Sequence, residues 1–212
     1  MPYQLTIGSL MQHGKSLHSD TEIISITSDH PNHRCTLSDI FTRSAQLANY
    51  LKQHNIKKSE RVATLAWNDF RHLEMYYGVS CFGAVCHTIN PRLHPDQIEF
   101  IINDADDQLL FIDVMFIDAI KEIRHKLPTL KKIIVLTSDQ STIEGLDDDW
   151  EIYEEALANQ DTNFSWPELN ENDACSLCYT SGTTGNPKGV LYSHRSLVLH
   201  AMTEVTPNAL GI

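Results

Sequence analysis

The chain has 212 residues, of which 42% are hydrophobic and 21% are charged, a composition typical of a soluble globular protein. Its 16 basic and 28 acidic side chains give a net charge of −12, which argues against a nucleic-acid partner because such a partner requires a basic surface. The five cysteines lack the spacing of a disulfide scaffold, and the N-terminus lacks the pattern of a signal peptide, so we expect a cytoplasmic protein with reduced thiols.

The first 35 residues carry weak structural signals. Apolar residues at positions 5, 7, 10 and 11 are spaced as a short apolar face, and residues 23–27 are consistent with a strand. The most apolar region of the whole chain, residues 109–120, contains two aspartates and is too short to span a bilayer. A peripheral membrane association stays open.

From Thr36 onward, strands and helices alternate. Thr36 with Asp39 three residues later predicts a helix N-terminus, and apolar residues follow at helical spacing to about Asn55. The predicted strands are 61–67, 84–89, 108–113, 131–137, 174–179 and 190–192, and the further predicted helices are 68–82, 95–104, 114–127, 151–159 and 193–203. This alternation predicts a layered α/β fold with a largely parallel sheet.

The segment 179–190, with the sequence YTSGTTGNPKGV, lies between two of these strands and combines hydroxyl side chains, glycines and one lysine. Glycines let backbone N–H groups approach an anion, hydroxyls donate hydrogen bonds, and lysine adds a mobile positive charge. The segment is not a Walker A loop, because its lysine follows a proline and precedes a strand. A flexible linker has similar composition but does not usually join two strands. We therefore predict a polyphosphate site formed by Thr180, Ser181, Gly182, Thr183, Thr184, Gly185 and Lys188.

These residues resemble the ATP loop of the acyl-adenylate-forming superfamily, which includes acyl-CoA synthetases, firefly luciferase and the adenylation domains of peptide synthetases. The next residues, LYSHR at 191–195, and the upstream HTINPRL at 87–93 look most like the fatty-acyl-CoA ligase branch. The resemblance runs from about Thr36 to the end of the chain and is weaker before it. It implies the fold of the N-terminal portion of the superfamily's large domain.

The resemblance also implies a reaction. ATP and a fatty acid would form an acyl-AMP and pyrophosphate, and coenzyme A would then displace AMP to give a thioester. Thr180 to Thr184 would hold the β- and γ-phosphates, Lys188 would add positive charge near them, and Thr180 would contact Mg²⁺. Because the N-terminal region of some fatty-acyl-CoA ligases mediates a homodimer, a homodimer also stays open.

The chain departs from the superfamily in length. The adenine-contacting aromatic segment, the magnesium-binding glutamate, the ribose-binding aspartate and the C-terminal domain with the catalytic lysine would all lie beyond residue 212. We therefore expect residues 1–35 to form an N-terminal arm and 36–212 an incomplete AMP-binding domain that has no catalytic residue and is inactive alone. Two alternatives stay open: another adenylate-forming enzyme that uses an aryl or amino acid, and a short non-catalytic protein that binds a nucleotide or a partner.

Two groups of cysteines and histidines have the chemistry of metal ligands but not the spacing. Cys175 and Cys178 form a CxxC on a predicted strand, without a second pair or nearby histidines. His30, His33 and Cys35 surround a proline and fit a polar loop better than a metal site.

Weaker candidates for a ligand cleft follow the predicted strands. Asn68 and the turn 90–92 are more simply interpreted as capping and turn residues. His194 is placed to approach a substrate, but it is equally consistent with packing at a helix start.

Overall fold

The computed structural model describes residues 3–27, 29–180 and 186–210. The strands are β1 (Glu22–Ser25), β2 (His33–Thr36), β3 (Arg61–Leu65), β4 (Val85–Thr88), β5 (Asp107–Ile112), β6 (Lys132–Val135), β7 (Trp150–Ile152), β8 (Ala174–Thr180) and β9 (Lys188–Ser193). The α-helices are α1 (Ile7–Leu17), α2 (Leu37–Gln53), α3 (Phe70–Phe82), α4 (Pro95–Ala105), α5 (Ile117–Ile123), α6 (Tyr153–Ala158) and α7 (His194–Glu204).

Seven strands form one sheet in the order β7-β6-β5-β3-β4-β8-β9. Every neighbouring pair is parallel except β8 and β9, which are antiparallel and place β9 at the edge. Strands β1 and β2 form a separate antiparallel pair. The predicted α/β fold with a largely parallel sheet is confirmed.

The sheet has a hydrophobic core on each face. Successive strand residues point to opposite faces, so Val62 packs with residues of α2, α3 and α6, whereas Ala63 packs with residues of α4 and α5. The strands are therefore apolar on both faces, as is typical of a covered parallel sheet. Most residues of both clusters are fully buried.

Local capping signals set where the helices begin and end. The Thr36 hydroxyl accepts from the backbone N–H of Asp39 at 3.2 Å, and the Asp39 carboxylate accepts from the N–H of Thr36 at 2.8 Å. Asp69 caps α3 by accepting from the N–H of His72. Gly83 ends α3 with φ of +96°, a conformation that favours glycine.

The first 35 residues pack onto this unit. Helix α1 lies against α2 and α3, and the buried side chains at their contact include Met11, Phe41 and Cys81. The segment between β1 and β2 contributes Asp29, which pairs with the buried Arg71 of α3. The predicted strand 23–27 is observed as β1, which begins one residue earlier and ends at Ser25.

Two sequence predictions were wrong in detail. The single helix predicted over 114–127 is observed as α5 flanked by the 3-10 helices Val114–Phe116 and Arg124–Lys126. Proline at 128 disfavours a helical conformation at Leu127, which lies just outside the second 3-10 helix. The helix predicted from residue 151 begins at Tyr153, because residues 150–152 pair with β6 as β7.

Within the part of the chain that the structure describes, none of the helices combines the length and the apolar character needed to span a bilayer.

Candidate nucleotide-binding site

The predicted phosphate-binding segment joins the two strands of the β8–β9 hairpin. Cross-strand register pairs Tyr179 with Gly189 and Thr180 with Lys188, so these four residues form the end of the hairpin from which the segment leaves. The other predicted phosphate ligands, Ser181, Gly182, Thr183, Thr184 and Gly185, lie outside the described residues.

Thr180 and Lys188 share one face of the hairpin. Residues directly opposite each other in antiparallel strands have Cβ atoms about 4.5–5.5 Å apart and project to the same side. Both residues are exposed. A hydroxyl and an ammonium group therefore lie on the same face at the point where the predicted loop begins and ends.

A groove of about 480 Å³ lies beside the hairpin on that same face. Ser176 and Cys178 line it from β8, and because strand residues two apart point the same way, Thr180 projects to the groove side as well. The groove is lined by Tyr76, Thr88, Ser176, Cys178, Tyr192, Ser196, Leu197 and His200.

The groove combines a mainly apolar surface with hydroxyl, thiol and imidazole groups, and its described lining residues include no carboxylate or ammonium group. The Thr88 hydroxyl lies 3.5 Å from the Cys178 sulfur. Burial raises the pKa of Tyr76 to about 12, so that phenol keeps its proton at neutral pH. The lining therefore consists of hydroxyls, a thiol, an imidazole and apolar side chains.

Sequence reasoning quoted Cys178 and Tyr192, but it did not assign either of them to a ligand groove. Thr88 lies within the HTINPRL segment, so its membership in a motif was visible. Tyr76 and His200 carried no signal, because they meet β8 and β9 only through the packing of α3 and α7 onto the sheet.

His194 has a structural role. It is fully buried at the start of α7, where its Nδ1 accepts a hydrogen bond from the backbone N–H of Ile7 at 3.3 Å. Burial lowers the pKa of His194, so the ring is neutral and able to accept. This hydrogen bond links α1 to α7, and His194 is not among the residues that line the groove.

The cysteine and histidine groups form no metal site in the structure. All five cysteines are free thiols, and across the described residues no three His, Cys, Asp or Glu side chains are grouped as metal ligands. The Cys175 sulfur instead contacts the carbonyl of Tyr192, and the His33 ring stacks on Phe70 with a centroid distance of 3.7 Å.

Of the two simpler interpretations, the turn role is observed at 90–92, whereas the residue that caps α3 is Asp69 and not Asn68. Asn68 contacts the Nδ1 of His72 through its side-chain oxygen at 3.0 Å. The side chain of Asn90 accepts from the backbone N–H of Arg92, which closes the turn 90–92.

Comparison with known proteins identifies the family. Residues 13–210 match the family described as AMP-binding enzyme. The chain belongs to the AMP-binding enzyme family. Two curated members are each 44% identical to it over the whole chain: a medium-chain-fatty-acid–CoA ligase of Ectopseudomonas oleovorans and a 3-methylmercaptopropionyl-CoA ligase of Ruegeria pomeroyi. The chain spans 39% of the length of each of these AMP-binding enzymes.

A solved structure of an AMP-binding enzyme agrees with the fold. The crystal structure of the anthranilate CoA ligase AuaEII in complex with anthranoyl-AMP superposes with a TM-score of 0.81 and 26% identity. The match covers 94% of this chain and 36% of that protein.

Proposed function

We propose that residues 180–188 bind the phosphates of ATP and that the chain is the nucleotide-binding part of an ATP-dependent fatty-acid–CoA ligase. The observation that carries this proposal is the position of Thr180 and Lys188. They are paired at the end of the hairpin, exposed, and on the same face as a groove whose described lining contains no carboxylate or ammonium group. The two curated relatives named above are CoA ligases, which supports the reaction class.

The reaction explains why these residue types are needed. A carboxylate oxygen forms a bond to the α-phosphorus of ATP while the bond from that phosphorus to the bridging oxygen of pyrophosphate breaks. Both reactants are anions, so the site must offset their repulsion and the charge that develops on the leaving group. The Lys188 ammonium and the hydroxyl of Thr180 would supply that stabilisation. The second step, attack of the CoA sulfur on the acyl carbon with release of AMP, would be common to the same class of enzyme.

A nucleotide-bound Mg²⁺ fits the hairpin end. Mg²⁺ prefers oxygen ligands and commonly takes one or two from the protein while phosphates and water supply the others. The exposed Thr180 hydroxyl is such an oxygen, and its pairing with Lys188 keeps it beside the expected phosphates. When bound, the ion would neutralise part of the phosphate charge.

The acyl group would occupy the groove beside Thr180. The relatives with 44% identity act, by their names, on a medium-chain fatty acid and on 3-methylmercaptopropionate, which are both aliphatic acids. We therefore propose an aliphatic acid as the substrate, with an aryl acid such as the anthranilate of the structural relative as the competing substrate in a test.

We also propose that residues 1–35 act as an arm on residues 36–212, and that residues 36–212 belong to a larger AMP-binding domain. The length of the relatives supports this, because the chain spans only 39% of each. Immunoblotting of the native protein is the direct check: a mass well above 24.0 kDa is expected, and a mass of 24.0 kDa would contradict it.

Titration of the purified chain with Mg-ATP tests the nucleotide site. Thr180→Ala and Lys188→Ala should each weaken ATP binding by about tenfold, since a hydrogen bond to a charged group contributes roughly 1.5–3 kcal/mol and exposure reduces that value. Lys52→Ala, which removes an exposed ammonium in the last turn of α2, is the matched control and should bind as the parent does. Equal affinity in all four chains would refute the assignment.

A chimera tests the reaction. In it, residues 1–212 replace the corresponding 39% of the Ectopseudomonas oleovorans relative, and CoA-thioester formation is measured with octanoate and with anthranilate. We expect activity with octanoate that is lost in the Lys188→Ala chimera. Activity with anthranilate alone would instead favour an aryl-acid ligase. A folded chimera without either activity would contradict the ligase function.

A further inference from the structure

Tyr179 lies one residue before Thr180 and points to the opposite face of the hairpin. Its phenol oxygen is 2.6 Å from the Oδ2 of Asp104, which lies in the last turn of α4. Burial and the neighbouring Asp104 carboxylate both raise the pKa of Tyr179, so the phenol keeps its proton and donates to Asp104. This hydrogen bond joins the hairpin to a helix that is 75 residues away in the sequence.

The same ring lies across the second strand of the hairpin. Gly189 is the cross-strand partner of Tyr179, and a Cβ added at Gly189 would lie 3.2 Å from the Cζ of Tyr179 and 3.3 Å from its hydroxyl oxygen. These contacts are tighter than ordinary van der Waals separations. The glycine therefore leaves the space that the ring occupies against β9.

A buried polar pair lies on the other side of the ring. The centroid of the His87 ring is 5.2 Å from that of Tyr179, and the Nδ1 of His87 is 2.7 Å from the Oδ2 of Asp107. Both His87 and Asp107 are fully buried. Because close packing resists displacement, contact with this buried pair limits the movement of the Tyr179 ring.

The hairpin needs such support because of its place in the sheet. Strand β9 is the last in the sheet order, so its backbone is paired only with β8. The exposed edge of a sheet opens locally at a lower free-energy cost than its centre. Tyr179 contacts β9, α4 and β4 at once, and it lies next to Thr180 in the chain and directly across from Gly189, the neighbour of Lys188.

We propose that Tyr179 is a positioning residue that fixes the Thr180–Lys188 end of the hairpin, through Asp104 and across Gly189, in the geometry that binds ATP phosphates. This inference rests on the proposed nucleotide site. It adds that phosphate affinity depends on a hydrogen bond made on the face of the sheet opposite to the ligand.

A double-mutant cycle in the chimera described above, which supplies the remaining part of the relative's chain, tests the proposal. Tyr179→Phe keeps the ring but loses the donor, and Asp104→Ala loses the acceptor. We expect each to weaken Mg-ATP binding about three- to tenfold, and the double variant to bind no more weakly than either single variant, because both changes remove the same contact. Asp104→Asn retains an acceptor oxygen and should restore most of the affinity.

Hydrogen–deuterium exchange separates positioning from general stability. In Tyr179→Phe, amides of β8 and β9 should exchange about tenfold faster while the urea midpoint of the whole chain stays unchanged. A lower urea midpoint with unchanged ATP affinity would show a purely structural role and overturn the proposal. So would additive effects in the double variant.

The outcomes also separate this proposal from the function on which it rests. If a folded parent chimera fails to bind Mg-ATP, the nucleotide site itself is refuted, and the positioning role falls with it. If the parent binds and Tyr179→Phe binds equally well, only the positioning role is overturned.

Discussion

Replacing Asp29 by asparagine removes the charge that pairs with a buried arginine. The Arg71 side chain is 1% exposed, and its two terminal nitrogens donate to the Asp29 carboxylate at 3.0 and 2.8 Å. Its Nε donates to Glu154 at 2.7 Å. Asp29 also accepts from the backbone N–H of Ser138 at 2.9 Å, so it joins the segment before β2 to the segment after β6.

The size of the effect follows from these contacts. Each hydrogen bond to a charged group contributes roughly 1.5–3 kcal/mol, and leaving a buried charge without its partner costs about 3–5 kcal/mol. Asparagine keeps one acceptor oxygen, and Arg71 keeps its hydrogen bond to Glu154. The loss of stability should therefore lie near the lower end of the range for an unpaired buried charge. We expect Asp29→Asn to lower the free energy of unfolding at pH 7 by about 3 kcal/mol.

The pH dependence provides a second signature. Burial opposes ionisation of Asp29, but hydrogen bonds from Arg71, Thr27 and Ser138 outweigh it and hold the pKa of the carboxyl well below its usual 3.8. Because the folded-state pKa is lowered, this contribution to stability is present above the unfolded-state pKa and is lost as the pH falls. Between pH 5 and pH 3, the free energy of unfolding of the parent should fall by about 1 kcal/mol more than that of the Asp29→Asn chain.

Urea unfolding at pH 7, 5 and 3 tests both the loss of stability and its pH dependence. The chains compared are the parent, Asp29→Asn and the exposed control Asp148→Asn. The control should lie within about 0.5 kcal/mol of the parent, as is usual for a surface substitution. The reasoning is refuted if Asp29→Asn is as stable as the control at pH 7, or if its stability falls with acid as steeply as that of the parent.

Two further predictions concern glycines and are tested by the same urea assay. Gly78→Ala would place a Cβ 2.8 Å from the Cδ2 of Leu47 where α3 packs on α2, and should cost about 1–3 kcal/mol. In Gly8→Ala in α1, the added Cβ would lie no closer than 3.7 Å to another atom, so this change should be neutral or stabilising. Equal changes in stability at Gly78 and Gly8 would contradict the packing argument. Gly83→Ala combines a φ of +96° with a contact of 3.0 Å to Leu169 and should destabilise by more than about 1 kcal/mol. Gly145→Ala, with a φ of +77° in open space, isolates the backbone contribution and should cost less than Gly83→Ala.

Elements whose signals are local in sequence were predictable. The Thr36 and Asp39 capping box and the helical spacing after it place α2 correctly, and Pro95 begins α4 as expected. The alternation of such elements was sufficient to predict a largely parallel sheet. The two strands that flank the glycine-rich segment were also predicted, but their antiparallel pairing, which includes Thr180 and Lys188, was not.

Features that depend on distant partners were not predictable. Strand β7 has three residues, and only its pairing with β6 makes it a strand. Asp29 and Arg71 are 42 residues apart, and Tyr179 and Asp104 are 75 apart, so neither pair is marked by any spacing in the chain. The groove beside Thr180 has the same origin, since its lining comes from five separate elements, three strands and two helices, that the fold brings together.

Labelling with an acyl-phosphate derivative of ATP tests the central claim most directly, because such a reagent transfers its acyl group to an amine that lies beside the terminal phosphate. The chain is incubated with the reagent, with and without excess ATP, and the modified lysines are identified by mass spectrometry. Binding of the phosphates at the hairpin end predicts preferential labelling of Lys188, which excess ATP suppresses, and little labelling of the exposed Lys52. Labelling of Lys188 no greater than that of Lys52, or labelling that ATP does not suppress, would contradict the assignment of this hairpin to ATP.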